Sequence, residues 1–377
     1  MLQRFTLKDK LLLPIVQGGM GVGVSAHRLA GSVAALGAMG TIASVDLRRH
    51  HPDLMASAGR DGARIDAANL LALDREIVMA RQIAQGRGMV AVNVMRAVTQ
   101  YPALVRQACA SGADALVVGA GLPLDLPDLT RDHPDVALIP VLSDVRGIAT
   151  LLKKWMRRQR LPDAIVIENP RYAAGHLGAP DAAGVDDPRF GFAVVLEGVH
   201  ALLRELGIDA ERIPLIVAGG VHAPGQVRTL LDLGASAVQL GTPFAVTTEG
   251  DACDGFKRVL LDAQPADTVV FMSAAGLPAR AVRTPWLMRY LDKEPRLQQK
   301  AKAKPCTVGF DCLQQCGWRD GNARAGQFCI DTQLAFALQG DRQRGLFFRG
   351  SEPLPFGAAL RTVRELIDYM LNGVAPA

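Results

Sequence analysis

The chain of 377 residues carries 42 Lys or Arg and 37 Asp or Glu, a net charge of +5, and 49% of its residues are hydrophobic. This composition is ordinary for a globular α/β enzyme, and no basic run is long enough to indicate a nucleic-acid partner. No apolar stretch reaches the roughly 20 residues that cross a bilayer, and the first residues lack a small-residue cleavage site. We therefore expect a cytoplasmic protein without a membrane partner.

Eight short apolar runs, typical of buried strands, alternate with amphipathic segments. The runs span residues 11–17, 39–45, 89–95, 115–118, 136–142, 164–168, 215–218 and 237–240. Helical patterns separate most of them, at residues 26–36, 70–84, 101–111, 145–158, 192–206 and 224–233. Buried strands that alternate with helices form a parallel sheet covered on both faces. Eight such units favour a closed (β/α)8 barrel, the TIM barrel, over an open doubly wound sheet.

Two insertions and a long tail interrupt this rhythm. Residues 46–69 follow the second strand and residues 170–189 follow the sixth. Both insertions leave the carboxyl ends of strands, where barrel active sites lie, so each is either an active-site lid or a surface loop. The alternation stops near residue 262, which divides the chain into a barrel domain, residues 1–262, and a mainly helical extension, residues 263–377. Within the extension we predict an irregular stretch from residue 347 and a last helix at 358–371, packed on the outside of the barrel.

The seventh and eighth strands both end in small residues. Glycines at the carboxyl ends of parallel strands let backbone N–H groups come close to an anion. In a (β/α)8 barrel the loops after these two strands are the usual phosphate site. The sequence therefore predicts a phosphorylated cofactor. The residues expected at this site are Ala218, Gly219, Gly220, Gln239, Gly241 and Thr242.

Two polar residues at strand ends are candidates for chemistry. His176 follows the sixth strand in a turn that contains Gly175 and Gly178. An imidazole there is either a surface histidine or a group that exchanges protons near neutral pH. Asn93 lies in the apolar third strand, as a core amide with satisfied hydrogen bonds or as a group facing a cofactor.

These motifs together carry a resemblance to a known family. PIVQGGMG at 14–21, VNV at 92–94, AGHLG at 174–178, VAGGV at 217–221 and QLGTPF at 239–244 occur in the order found in nitronate monooxygenases. That family, formerly called 2-nitropropane dioxygenases, is related to flavin-dependent enoyl-acyl-carrier-protein reductases and NADH:quinone reductases. The resemblance covers about residues 10–285, including SAAGLPAR at 273–280.

The resemblance implies a TIM barrel that holds FMN non-covalently, with His176 as the base or the substrate-orienting residue. In a nitronate monooxygenase, reduced flavin formed from an alkyl nitronate reacts with O2. In the related reductases, NAD(P)H reduces FMN, which passes a hydride to an enoyl thioester or a quinone. The residues that would surround the flavin ring are Gln17, Gly18, Gly19, Met20, Asn93 and Gly175. Those that would hold its phosphate are Ala218, Gly219, Gly220, Gln239, Gly241 and Thr242.

Two positions depart from the family pattern. Val141 stands near the end of the fifth strand, where many members carry a lysine beside the flavin, and Pro243 replaces a common arginine. Three hypotheses follow: a nitronate monooxygenase-like enzyme, an NAD(P)H-dependent reductase, and a non-catalytic flavin- or metal-binding protein. The His176 turn argues against the third, because a protein that only binds flavin needs no base there.

Four cysteines in the extension, Cys306, Cys312, Cys316 and Cys329, are spaced C-x5-C-x3-C-x12-C. In a reducing compartment such a group suggests a metal rather than disulfides. The spacing resembles the cluster segment of the dienoyl-CoA reductase type of flavin barrel, so a [4Fe–4S] cluster is our preferred prediction, with zinc and free thiols as alternatives. A small-molecule substrate is expected. A homodimer, and a one-electron redox partner if a cluster is present, stay open.

Overall fold

The computed structural model describes residues 3–375, and its centre is a closed barrel of eight parallel strands. The thirteen strands are β1 (Phe5–Leu7), β2 (Lys10–Leu12), β3 (Ile15–Gln17), β4 (Met39–Ala43), β5 (Met89–Met95), β6 (Ala115–Gly119), β7 (Ala137–Leu142), β8 (Ile165–Glu168), β9 (Gly175–His176), β10 (Leu215–Ala218), β11 (Ala237–Leu240), β12 (Thr268–Met272) and β13 (Pro278–Val282). The barrel runs β3-β4-β5-β6-β7-β8-β10-β11 and closes by pairing β11 with β3. The predicted (β/α)8 barrel is confirmed, and each predicted run contains one of its strands.

Helices surround the barrel and cover its outer face. They are α1 (His27–Ala35), α2 (Pro52–Ala58), α3 (Gly62–Ala84), α4 (Tyr101–Ala110), α5 (Leu126–Leu129), α6 (Val145–Met156), α7 (Phe192–Glu205), α8 (Pro224–Asp232), α9 (Thr242–Ala245), α10 (Asp254–Asp262), α11 (Pro285–Gln299), α12 (Gly317–Asp320), α13 (Ile330–Leu338) and α14 (Val363–Asn372). Side chains alternate along each strand: in β5, Val90 and Val92 pack with the helix layer, whereas Met89 and Ala91 fill the barrel.

The first predicted run is wrong as a single strand. Pro14 separates β2 from β3, and β2 pairs antiparallel with β1 instead of continuing into the barrel. Proline removes a ladder donor and therefore ends the strand. Phe5, Leu7 and Leu12 of this hairpin pack with the inward-facing side chains of the barrel strands. The hairpin thus fills the barrel interior from its amino end, which leaves the carboxyl end for a ligand.

The extension begins with a β-hairpin and continues as α11, α12, α13 and α14, which long irregular segments separate, so it is less helical than predicted. Strands β12 and β13 pair antiparallel, and β13 also pairs with β9 in the insertion after β8. The last helix, α14, contacts α8 and α1 on the outside of the barrel, where we expected a terminal helix. The domain division at residue 262 coincides with the end of α10 and stays a prediction.

No helix among residues 3–375 is long and apolar enough to span a membrane.

Candidate active site

The main cavity lies at the carboxyl ends of the barrel strands, and loops from opposite sides of the barrel meet there. The loop after β3, the ends of β5 to β8, the His176 turn and the loops after β10 and β11 all line it. The position follows from the parallel sheet, because all eight strands present their carboxyl ends at one face. Of the thirteen predicted catalytic and cofactor residues, all except Gln17 line this cavity.

The loops after β10 and β11 form a cradle of backbone groups. Gly219 and Gly220 adopt φ angles of 102° and 79°, which side chains rarely tolerate. A Cβ added at Gly219 would lie 2.9 Å from the carbonyl oxygen of Asn169, and one at Gly220 would lie 2.8 Å from the Tyr172 ring. Only glycine therefore fits both positions. Beside them, after the adjacent strand β11, Gly241 and Thr242 provide a second pair of backbone N–H groups at the start of α9, and the arrangement fits a phosphate.

An adjoining wall, the ring wall, suits a planar ring with polar edges. Gly18, Gly19 and Met20 follow β3 and face the cavity together with Asn93, whose amide nitrogen donates to the Val117 carbonyl at 3.1 Å. Gln239 belongs to the same wall, and its buried side-chain oxygen has no hydrogen-bond partner among the described residues. Because buried polar atoms are rarely left unpaired, this oxygen indicates a missing ligand that carries a donor. The residues present fit a flavin.

Gln17 requires a correction, because its side chain does not face the cavity. It is fully buried between two barrel strands, where its amide nitrogen donates to the Thr41 carbonyl and its oxygen accepts from the Thr41 N–H, at 3.0 and 2.8 Å. Side chains alternate along a strand, so the glycines that follow Gln17 reach the cavity while Gln17 does not. Its role is to join β3 to β4 beneath the loop.

His176 is held at the cavity by the extension. Its short strand β9 pairs with β13, with His176 opposite Ala279. Burial lowers the pKa of His176 to about 4, so the imidazole is neutral at physiological pH. Its Nε2 atom has no hydrogen-bond partner among the described residues, and its ring lies 5.9 Å from that of Phe348. A neutral imidazole with a free ring nitrogen is ready to accept a proton or to orient a ligand.

The turn that carries His176 is fixed by a buried arginine. The Arg280 guanidinium donates to the carbonyls of Pro170 and Ala173, at 3.1 and 2.6 Å. Arg280 is only 5% exposed and sits opposite Gly175 in the β13–β9 pair. Sequence analysis noted its motif without assigning this role. Residues 172–176 of the insertion at 170–189 therefore form a packed wall of the cavity.

Glu168 is a cavity residue that the sequence analysis missed. It ends β8, lines the cavity, and has its pKa raised to about 7 by burial. The sequence did contain a signal, because an acidic side chain at the C-terminal end of a barrel strand commonly faces the active site. Glu168 was overlooked because it lies inside the run 164–168, which was interpreted only as a strand.

The irregular part of the extension forms the last wall, which corrects the expectation that the tail packs only on the outside. Leu346, Phe348, Gly350 and neighbouring residues as far as Leu354 line the cavity. The Gly350 N–H donates to the Thr242 hydroxyl at 3.0 Å, which joins this wall to the cradle. Among residues 3–375, no Lys or Arg lines the cavity. This agrees with the two departures from the family pattern, because Val141 and Pro243 stand where a lysine and an arginine are common in the family.

The four cysteines do not form a metal site. Within the described residues, no group of three or more Cys, His, Asp or Glu side chains is arranged to hold a metal ion. Cys306 donates to the Phe310 carbonyl and Cys329 accepts from the Thr332 hydroxyl, both at 3.2 Å. Burial raises the pKa of the Cys312 thiol, and the nearby Asp331, Cys329, Cys316 and Cys306 side chains raise it further, so the four cysteines lie near one another. The geometry does not support the predicted [4Fe–4S] cluster.

A TIM barrel with a glycine cradle, a neutral histidine and an unpaired glutamine oxygen at its carboxyl face defines an enzyme of the flavin-dependent oxidoreductase class. The family model for nitronate monooxygenase matches residues 4–373, and the chain belongs to the nitronate monooxygenase family, whose members are generally FMN-dependent.

Similar proteins agree with this assignment. A probable nitronate monooxygenase of Bacillus subtilis is 26% identical over 296 residues, which are 76% of this chain and 81% of that protein. Among solved structures, FabK from Thermotoga maritima superposes with a TM-score of 0.66 at 22% identity, covering 95% of this chain and 91% of FabK. Nitroalkane oxidase from Streptomyces ansochromogenes gives a TM-score of 0.67 at 20% identity over 97% and 98% of the two chains. At these identities the two structures establish the shared fold.

Proposed function

We propose that this protein is an FMN-dependent enzyme that oxidises an alkyl nitronate with O2, with His176 as the base or the substrate-orienting residue. The observation that carries the proposal is the buried, unpaired Nε2 atom of a neutral His176 in the same cavity as the glycine cradle. Membership of the nitronate monooxygenase family supports this reaction.

The cradle and the ring wall support the binding of FMN at this site. Backbone N–H groups of Gly219, Gly220 and Thr242 would hold its phosphate, and Gln239 and Asn93 would meet the polar edge of its ring. When bound, FMN supplies the reversible uptake of electrons from the substrate and their delivery to O2.

His176 would act on the substrate directly. A lone pair on neutral imidazole accepts a proton from, or aligns, a substrate held against the ring wall. The adjacent Phe348 ring keeps water away from one side of the imidazole, which favours its neutral form.

The test is anaerobic mixing of the FMN-loaded protein with a nitronate and, in a separate arm, with NADPH. Bleaching of the flavin absorbance by the nitronate supports the proposal. Bleaching by NADPH alone would overturn it.

His176→Asn separates chemistry from cofactor binding. We expect the variant to oxidise nitronate roughly 10²–10⁴-fold more slowly while it keeps its FMN, since one proton-transfer group contributes about that much. Release of FMN by the variant would instead give His176 a structural role.

A second candidate is an NAD(P)H-dependent reductase of an enoyl thioester or quinone. Part of the cavity lining is apolar, as an acyl chain or a quinone would require. The residues of this part are Val22, Val24, Phe256, Leu260, Leu334, Ala337 and Leu346. A coenzyme A-ester dehydrogenase of Mycobacterium tuberculosis is 34% identical over 107 residues, 28% of this chain. The NADPH arm of the mixing experiment tests this candidate, and a protein bleached by neither reagent would favour the non-catalytic hypothesis.

A further inference from the structure

Glu168 is a half-buried carboxyl group that the proposed chemistry of His176 does not use. It is the last residue of β8, it pairs in register with Ala218 of β10, and its side chain lines the cavity. Among residues 3–375 no hydrogen bond or ion pair of this side chain occurs. The carboxyl group therefore faces the cavity in which a ligand would bind, and no described side chain or backbone group forms a hydrogen bond with it.

The surroundings of Glu168 favour its neutral form. Val141 of the neighbouring β7 and Ala218 of β10 are apolar, and no Lys or Arg lines the cavity. The other titratable side chains that line it are Tyr172, His176, His222 and Glu352. Burial alone raises the pKa of Glu168 to about 7, with no contribution from a neighbouring charge. A substantial fraction of the protein thus carries Glu168 as a carboxylic acid at neutral pH.

A neutral carboxylic acid differs from a carboxylate in what it offers a ligand. The ionised group only accepts hydrogen bonds, whereas the protonated group donates one through its O–H. His176 presents the complementary case, because burial lowers its pKa and leaves it neutral with a free nitrogen. Burial raises the pKa of Glu168 and lowers the pKa of His176. Two groups whose pKa values are shifted in opposite directions can serve as an acid and a base in one cavity.

We propose that Glu168, as a neutral carboxylic acid, donates a hydrogen bond to an anionic oxygen bound in this cavity. The proposal rests on the proposed function, because that function supplies anionic oxygens on two molecules, the nitronate and FMN. Because no Lys or Arg among the described residues lines the cavity, a bound anion must be stabilised by neutral hydrogen-bond donors. An ionised Glu168 would repel the anion.

The proposal fixes the direction of a pH effect. Only the protonated form binds the anion, so binding is full below the pKa of Glu168 and weakens as pH rises through it. The apparent Kd is expected to rise about tenfold per pH unit above about pH 7. His176 stays neutral throughout that range, because its pKa of about 4 lies well below it.

The experiment has two binding arms, with Glu168→Gln as the test variant. Glutamine keeps a donor but cannot ionise, and Glu197→Gln on the exposed face of α7 is the matched control. One arm measures the Kd of FMN for apoprotein, and the other measures the Kd of butyrate for FMN-loaded protein, both from about pH 6 to 9. Butyrate resembles a nitronate in its planar group with one negative charge over two oxygens, and it stays ionised throughout.

The expected result is a Kd that rises with pH in wild type and Glu197→Gln but much less in Glu168→Gln. The arm in which that difference appears identifies the anion, FMN or substrate. Residual pH dependence in Glu168→Gln reports the FMN phosphate and the remaining cavity groups. Equal pH dependence of wild type and Glu168→Gln in both arms would overturn the proposal.

Two further readouts need no turnover, so they fail or succeed independently of the proposed function. The infrared difference between wild type and Glu168→Gln near pH 6 should contain the carbonyl stretch of a protonated carboxyl group. If the variant does not fold, proton uptake by wild type answers the question: at about pH 8, binding of the anion should take up close to one proton. Absence of both signals would also overturn the proposal.

Discussion

The two sides of the cavity are built in different ways. The barrel side consists of strand ends and tight glycine turns, in which each residue is placed by the strand before it. The extension side, residues 346–354, has no such local frame and is placed by distant contacts, such as the bond from Gly350 to Thr242 and that from Arg349 to the Leu260 carbonyl. The difference separates cofactor binding, which local geometry supports, from the environment of His176, which the extension controls.

The largest expected effect comes from breaking the barrel side. Gly219→Ala places a Cβ 2.9 Å from the Asn169 carbonyl oxygen at a φ of 102°. We expect FMN affinity to fall by about 100-fold or more, because about 3 kcal/mol of strain must be relieved by moving the cradle. FMN titration of apoprotein measures it. Gly225→Ala is the control, since nothing lies within 4 Å of its added Cβ, and a similar loss there would contradict this account.

A smaller effect is expected from removing Arg280, which joins the extension to the turn that carries His176. Arg280→Met leaves the buried carbonyls of Pro170 and Ala173 without their donor. The free energy of unfolding should fall by about 2–4 kcal/mol, as expected for buried groups left unpaired, and kcat should fall because the His176 turn loosens. Urea denaturation and steady-state kinetics test both. Arg283→Met, which removes an exposed bond to the Thr268 carbonyl, should leave stability nearly unchanged.

A change within the extension alone should alter the histidine and spare the cofactor. Phe348→Ala removes the ring beside His176 and admits water. The pKa of His176 should rise from about 4 towards its ordinary value of 6.5, while FMN affinity changes little. An NMR titration of the imidazole measures the shift. Phe356→Ala, whose ring packs on Tyr369, is the control; an unchanged His176 in Phe348→Ala would contradict the role given to the extension.

The smallest effect is expected at the cysteines. Cys316→Ser should leave FMN affinity and kcat unchanged, because the described residues contain no arrangement of ligands for a metal. Iron and acid-labile sulfide assays on anaerobically purified wild type should find neither. Stoichiometric iron with sulfide would restore the predicted cluster and require the segment around the cysteines to rearrange.

The same difference explains how much could be predicted from the sequence. The eight barrel strands and the glycine loops follow from local patterns, so their positions were predicted closely. Gln17 was misplaced because one step along a strand reverses the direction of a side chain. Glu168 was missed because its pKa depends on burial that only the folded cavity creates. Residues 346–354 carry no periodic pattern, and nothing local to them indicates that Phe348 meets His176.

The order of the chain adds a consequence in time. During synthesis the barrel strands leave the ribosome before residues 346–354, which form the last wall of the cavity. A nascent or truncated chain can therefore complete its barrel and glycine cradle before the Phe348 ring packs beside His176. In such a chain His176 lacks the Phe348 ring beside it, so its pKa should lie closer to its ordinary value of 6.5.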